Sequence, residues 1–415
     1  MLGPVNKRTS RDIRTANRYE VLRQIIAGSP LSRQELAAAT GLSLATVASL
    51  VGELLELGLL TEVGFEDSDG GRPRGLVAIA PTRGALIGVD VAETYVHVEL
   101  FDLSLTSLAH TAVELRPGDQ QPDRVVAHIA AGVASVVEQS GTDPGRVLGA
   151  GVSMPGQVDR ASGSVVYAAN WGWHQVPLLS LLAEHIPYPL YLDNPLRACT
   201  VTELWFGAAR GRSDAVVINL GTGVGAGIAL GGALHRGATN TAGEWGHTTL
   251  VLDGRLCHCG NHGCVEAYVG APGIMQQLRE LGAESPLLRP DDQTATIRAL
   301  GSALAAGDPV AVRVVRETAR YLGAAVADLI QLLNPEVIVL SSWVAATLGK
   351  PLLDEVREAV AARAPAGPLA ATEIVLSPVP SDPVSLGAAT FALEGAVASS
   401  AQQAARKKTS RTVRR

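Results

Sequence analysis

At 415 residues with 47% hydrophobic and 18% charged composition, the chain is long enough for two to four packed domains with ample core. The net charge of −6 rules out a chain that is basic throughout, and no apolar run reaches the roughly 18 residues of a membrane-spanning helix. The basic N-terminus lacks the apolar stretch of a secretory signal, which points to the cytoplasm, reduced thiols and no membrane insertion.

The pattern from 15 to 79 predicts three short helices and a hairpin. The first helix, Thr15 to Ala27, carries Val21, Leu22, Ile25 and Ile26 on one stripe and stops at Gly28. Ser32 with Glu35 three residues later is a capping box, flanked by Leu31 and Leu36 as a hydrophobic staple, and Gly41 makes the next turn. The third helix starts at Ser43 with an apolar stripe of Leu44, Val47, Val51, Leu54 and Leu55, leaving Ser43, Thr46 and Ser49 on the opposite face. Small hydroxyls there suit close approach to base edges or phosphates, whereas Ala48 and Leu50 stand where a stronger base reader would carry Arg or Asn. A strand over Leu59 to Val63, an acidic turn, Arg72-Pro73-Arg74 and a strand over Leu76 to Ile79 complete a winged helix-turn-helix. Its wing arginines, Arg72 and Arg74, suit a minor groove. Residues 1–80 therefore read as a DNA-binding head with a basic arm. The alternative is a small helical adaptor that binds no DNA.

After a linker at 81–84, Ala85 to Val91 and Tyr95 to Phe101 read as paired strands, and Ala215 to Ile228 repeats the pattern. Helices over Val125 to Gln139 and Pro309 to Leu333 and strands over Val147 to Ser153 and Val337 to Leu340 fit a duplicated α/β unit with a cleft between copies. The run Gly221-Thr222-Gly223-Val224-Gly225-Ala226-Gly227 is equally consistent with a phosphate cradle and a tight hairpin.

Three of the four cysteines, Cys257, Cys259 and Cys264, fall within eight residues, and His247 lies ten residues before the first. That set can close on one tetrahedral Zn²⁺ as Cys₃His, with all four places filled and the metal structural. His258 and His262 are alternative ligands to His247. A disulfide or spare thiols is the competing reading, but Cys257 and Cys259 are too close for an easy bridge.

Several stretches resemble the ROK (repressor, open reading frame, kinase) family, specifically its NagC/XylR-like transcriptional regulators. They are Gly151 to Asp159, Asn170-Trp171-Gly172-Trp173, Leu192-Asp193-Asn194, Gly243 to His247, the cysteine cluster with Glu266, and Asn334-Pro335-Glu336. The resemblance implies an α/β fold in which the winged helix-turn-helix precedes an actin-like (ribonuclease H-like) two-lobed sugar-kinase body. The first lobe is expected at 85–195, completed by a C-terminal helix at about 383–397, the second lobe at 196–382, and a basic unstructured tail at 398–415. It also implies zinc on His247, Cys257, Cys259 and Cys264, and sugar hydroxyls held by Asn194, Glu244, His247 and Glu266 with Gly156 and Asn170 lining the cleft. Trp171 and Trp173 are candidates for a flat face against a sugar ring, or for core.

The departures from the family's kinases carry the functional reading. Pro195 stands where they have the aspartate that deprotonates the sugar hydroxyl, so no general base remains at that place. Asp90-Val91-Ala92-Glu93-Thr94 replaces Asp-x-Gly-Gly-Thr, and Ser341-Ser342 replaces the adenosine-side Gly-Gly. Asp193, one residue off on a strand, is expected to point the other way. The expectation is a sugar-responsive DNA-binding repressor with a catalytically silent body. It would act as a dimer or tetramer on an inverted-repeat operator. The alternatives are an active ATP-dependent sugar kinase and a regulator governed by a protein partner.

Overall fold

The computed structural model describes residues 10–66, 73–116, 118–281, 285–379 and 382–412. In the head, helix Ser10–Gly28 starts before the expected Thr15. Helix Arg33–Thr40 has the capping box: the Ser32 hydroxyl accepts from Glu35 N at 3.3 Å, and the Glu35 carboxylate accepts from Ser32 N at 2.7 Å. Gly41, at φ +67°, supplies the left-handed turn into helix Leu44–Glu56. Val47, Leu50, Val51 and Leu54 of that helix pack on Val21, Leu22, Ile25 and Leu36. Leu50 is thus core, not a position facing a groove, because it completes the i, i+3, i+4, i+7 stripe. Leu44, expected on the stripe, lies in the first turn and is 48% exposed. Strands Leu60–Glu66 and Arg74–Ile79 pair antiparallel with a bulge between Glu62 and Gly64, and the short strand Leu31–Ser32 joins their sheet. A single 3₁₀ turn, Pro81–Arg83, leads to the body.

The body repeats one topology. In the first lobe, strands Ala85–Val91, Tyr95–Asp102 and Ser107–Glu114 form an antiparallel meander. Val147–Ser153 then runs parallel to the first of these, and Leu190–Asp193 parallel to Val147–Ser153. In the second lobe, Ala215–Leu220, Val224–Leu230 and Ala233–Leu234 form the meander. Val337–Ser341 and Glu373–Leu376 add in parallel in the same order. Two such sheets facing each other are the duplicated ribonuclease H-like halves of an actin-like fold. Helix Pro122–Ser140 covers the first sheet, and Pro309–Leu333 packs beside Trp343–Ala361 on the second. A small antiparallel sheet, Gln157–Asp159, Ser164–Ala168 and Trp173–Val176, stands off the first lobe.

The C-terminal helix, Pro383–Thr412, returns to the first lobe and lies on strands Ala85–Val91 and Val147–Ser153. Glycine is required at this crossing: a Cβ on Gly88 would sit 1.9 Å from the Ser385 carbonyl oxygen, and one on Gly151 1.8 Å from that of Ala388. The helix continues past 397, so residues 398–412 are helical and not the unstructured tail expected from their charge. The stretch Ala401-Gln402-Gln403-Ala404-Ala405-Arg406-Lys407-Lys408 consists of strong helix formers, which extend a helix already nucleated on the body.

The head docks on this frame. Tyr19 of the first helix meets Trp205 at the end of helix Pro195–Phe206, ring centroids 5.2 Å apart, and Arg210 donates to the Ala27 carbonyl at 2.8 Å. One apolar cluster runs from Val21 and Leu22 through Trp205 to Phe391. Among the described residues no single helix is long and apolar enough to cross a membrane.

Candidate functional site

Between the lobes lies a cleft of about 390 Å³ that gathers Gly156, Asn170, Asn194, Glu244, His247 and Glu266, residues separated by up to 110 positions. Gly156 is at φ +98°, and a Cβ there would lie 2.3 Å from the Tyr167 carbonyl oxygen, so only glycine fits. Asn194 is the N-cap of helix Pro195–Phe206, its side-chain oxygen accepting from Arg197 N at 3.2 Å. Pro195 occupies the first turn of that helix, where a missing N–H costs nothing. Glu244 and His247 come from one 3₁₀ turn, Glu244–His247. The buried Glu266 opens helix Glu266–Val269 and accepts from Val224 N at 2.8 Å, tying the glycine hairpin to the cysteine loop. That glycine run is therefore a hairpin, and its turn also lines the cleft.

Sequence reasoning missed several contributors. Glu93 accepts from the Asn170 amide at 3.0 Å and so holds a cleft side chain in place. His258 lies 3.1 Å from the Glu266 carboxylate, and Tyr167 and Trp343 line the walls. Trp173 is core, donating to the Gln120 carbonyl at 2.7 Å and meeting Trp171 edge-on at 5.1 Å; Trp171 faces the cleft. Among the described lining residues there is no Lys or Arg, while Asp90, Glu93, Glu244 and Glu266 are all present. Burial pushes the carboxyl groups of Glu93 and Glu244 up. Asp90 is pushed well up by burial and by the neighbouring Asp382.

Asp193 does not line the cleft. It is fully buried, paired with Arg197 at 3.3 Å, with Arg236, and with Arg160 at 3.6 Å. A carboxylate enclosed and hydrogen-bonded by three guanidinium groups, and off the cleft wall, suits anchoring and not proton abstraction.

In the cysteine loop, donor atoms of His247, Cys257, Cys259 and Cys264 all lie within 4.8 Å of one another. Cys259 Sγ to Cys264 Sγ is 3.8 Å, and His247 Nδ1 to Cys257 Sγ is 3.7 Å. The sulfurs are too far apart for a disulfide. They match the edge of about 3.8 Å expected of a tetrahedron with metal–sulfur bonds of about 2.3 Å. The donor set thus fits a four-coordinate thiophilic metal. His258 belongs to a second group with His247 and Glu266, and His262 Nδ1 lies 3.1 Å from the Gly254 carbonyl oxygen, to which it donates, outside the thiol cluster.

On the head, Ser43 is exposed but is also the N-cap, accepting from Thr46 N at 3.1 Å with its hydroxyl 2.8 Å from that of Thr46. Ser49 is exposed and accepts from Arg14 at 2.8 Å. Arg14 and Arg18 both clamp Glu53. Burial alone would raise the Glu53 carboxyl, but hydrogen bonds from these arginines outweigh it and hold it below its usual value. Arg74 is half-exposed at the wing, 3.8 Å from Glu66; Arg72 lies outside the described residues. Val63 and Phe65 on the wing's first strand are 47% and 74% exposed, apolar positions that strand alternation alone does not explain.

Comparison with known proteins matches residues 86–394 to the ROK family and residues 14–61 to a winged helix-turn-helix DNA-binding model. The chain is similar to the xylose repressor of Caldicellulosiruptor bescii, 29% identical over 84% of this chain and 88% of that one. It is also similar to the DNA-binding transcriptional dual regulator NagC of Escherichia coli, 30% identical over 79% of this chain and 80% of that one. A crystal structure described as a ROK family transcriptional regulator, a homologue of the E. coli MLC protein, superposes with a TM-score of 0.77 at 24% identity. It covers 94% of this chain and 98% of that one, and so shares both head and body folds. Duplicated lobes, a Cys₃His loop beside the cleft and a winged head in front thus coincide with a family match over most of the length, and the chain belongs to the ROK family.

Proposed function

We propose that this protein is a transcriptional repressor whose kinase-like body binds a sugar and, through it, controls the DNA-binding head. The observation that carries the reading is one helix, Pro195–Phe206. Its N-cap Asn194 lines the cleft and its penultimate residue Trp205 packs on Tyr19 of the head. A ligand that pulls on Asn194 therefore acts on the same rigid element that supports the head. Carboxylates and amides converging from both lobes offer the directional acceptors and donors that sugar hydroxyls need. Closure on a sugar would change the angle between lobes and the spacing of two heads on an inverted repeat, in a dimer or tetramer. Gly156, Asn170, Asn194, Glu244, His247 and Glu266 are the proposed sugar contacts. Ser43, Thr46, Ser49, Arg72 and Arg74 are the proposed DNA contacts.

Phosphoryl transfer is disfavoured. Pro195 carries no titratable group, Asp193 is enclosed by arginines, and Glu93 puts a carboxyl side chain where the kinases' glycine leaves room for nucleotide phosphates. Zinc on His247, Cys257, Cys259 and Cys264 would supply structural cross-linking, with no place left for a reacting water. His247 directs Nδ1 at Cys257, so its other ring nitrogen is free to orient toward a hydroxyl and couple loop to ligand. Capture of genomic fragments by the purified chain, followed by release with a sugar panel, tests the reading. Specific fragments released by at least one sugar are expected. Fragments held equally with and without every sugar would leave a DNA-binding protein without this sensor.

A further inference from the structure

The cleft and the cavity that adjoins it at Ser342 and Trp343 together exceed one sugar ring, and this far end is built differently from the end that holds Asn194, Glu244 and Glu266. A packed water takes up about 30 Å³, so the cleft of about 390 Å³ holds about 13 water-sized groups and the adjoining cavity of about 300 Å³ about 10 more, beyond the dozen or so heavy atoms of a single pyranose. At the far end stand Asn219, the Gly221–Gly223 turn, Ser342 and Trp343. The Asn219 side-chain oxygen is buried without a hydrogen-bond partner among the described residues, as is the Ser341 hydroxyl just behind. The Trp343 indole lies over Gly221, its Nε1 3.1 Å from where a Cβ on that glycine would project. Ser342, at φ +78°, holds this bend despite its side chain, and delivers Trp343 to the wall shared with an adjoining cavity of about 300 Å³. An aromatic edge and orphaned polar atoms beside open space are the furniture of a ligand subsite. The lining selects the ligand: carboxyl groups line this cleft and the described lining residues include no Lys or Arg, so no ammonium or guanidinium among them pairs with a phosphate group.

We infer that the cleft takes an uncharged glycoside of at least two linked sugar units, with its second ring against Trp343 and hydrogen-bonded to Asn219. This rests on the reading of the cleft as a sugar site. Calorimetry on the full chain compares xylose with xylobiose, glucose with cellobiose and maltose, and N-acetylglucosamine with N,N′-diacetylchitobiose; glucose 6-phosphate and ATP are the charged controls. At least one disaccharide should bind tenfold or more tighter than its own monosaccharide, a difference of about 1.4 kcal/mol. Trp343→Ala should lower disaccharide affinity by a larger factor than monosaccharide affinity and so erase that advantage, while Trp343→Phe keeps most of it. The comparison on the unaltered protein stands even if Trp343→Ala fails to fold. Monosaccharides binding as well as every disaccharide, or tight binding of glucose 6-phosphate or ATP, would overturn the second subsite while leaving sugar sensing intact in the first case. Absence of binding by any sugar would overturn both readings together.

Discussion

Replacing the two rings that join head to body should weaken sugar control without abolishing DNA binding. Helix Pro195–Phe206 has 12 residues, about 18 Å at 1.5 Å per residue, and spans from the cleft at Asn194 to the head at Trp205. The Tyr19–Trp205 pair, with centroids 5.2 Å apart and planes inclined at 53°, is an aromatic contact worth about 0.5–1.5 kcal/mol beyond its buried area. If that pair carries the linkage, the coupling free energy falls by the same amount when it is lost. The ratio of operator affinities without and with effector should then shrink by about 2- to 12-fold. Tyr19→Leu, Trp205→Leu and the double variant, measured by fluorescence anisotropy of a labelled operator duplex with and without effector, form a double-mutant cycle. Val21, Leu22, Ile25 and Leu36 still hold the head together, so each variant should still bind DNA. An unaltered sugar response in the double variant would refute the helix as the route of control.

Cys259→Ala should lose one equivalent of bound zinc by elemental analysis and lose the sugar response with it; normal induction in a metal-free variant would contradict this. Arg74→Ala, alone and with Arg72→Ala, should weaken operator binding and flatten the plot of log affinity against log salt by about one unit per phosphate contact removed. An unchanged slope would take the wing out of the interface. Glu93→Gln should raise the melting temperature at pH 8 and do little near pH 4. Because burial raises the folded-state value of this carboxyl, the folded chain favours its protonated form. That contribution is present below the unfolded value of about 4.3 and is lost as pH rises through the folded one. Equal shifts at both pH values would mean that ionisation of Glu93 does not matter to stability.

The local signals in the sequence were reliable wherever the chemistry is local. The capping box at Ser32 and Glu35, the Gly41 turn, the meander strands and the Cys₃His spacing all depend on neighbours a few residues apart, and each is present in the structure. What the sequence hid is contact between distant segments. The Glu93–Asn170 hydrogen bond, the Arg160 and Arg236 pairs with Asp193 and the Tyr19–Trp205 pair join residues 33 to 186 positions apart, with no periodicity to betray them. Leu50 was misread for a related reason. A helix of 13 residues with Leu44, Leu50, Leu54 and Leu55 offers more than one apolar stripe, and only the packing against Val21 and Leu36 chooses between them. The C-terminal segment was misread from charge alone; its alanine-rich composition and the helix feeding into it were the better guides.

The most direct test of a sugar-binding body wired to a DNA-binding head, with phosphoryl transfer silenced, puts both outputs in one cuvette. Labelled operator anisotropy and coupled ADP release are followed together while the full chain meets sugars in the presence of ATP and Mg²⁺. The account predicts an operator affinity that changes at least tenfold with one or more sugars while no ADP forms. Steady ADP production, or an affinity that no sugar moves, would contradict it.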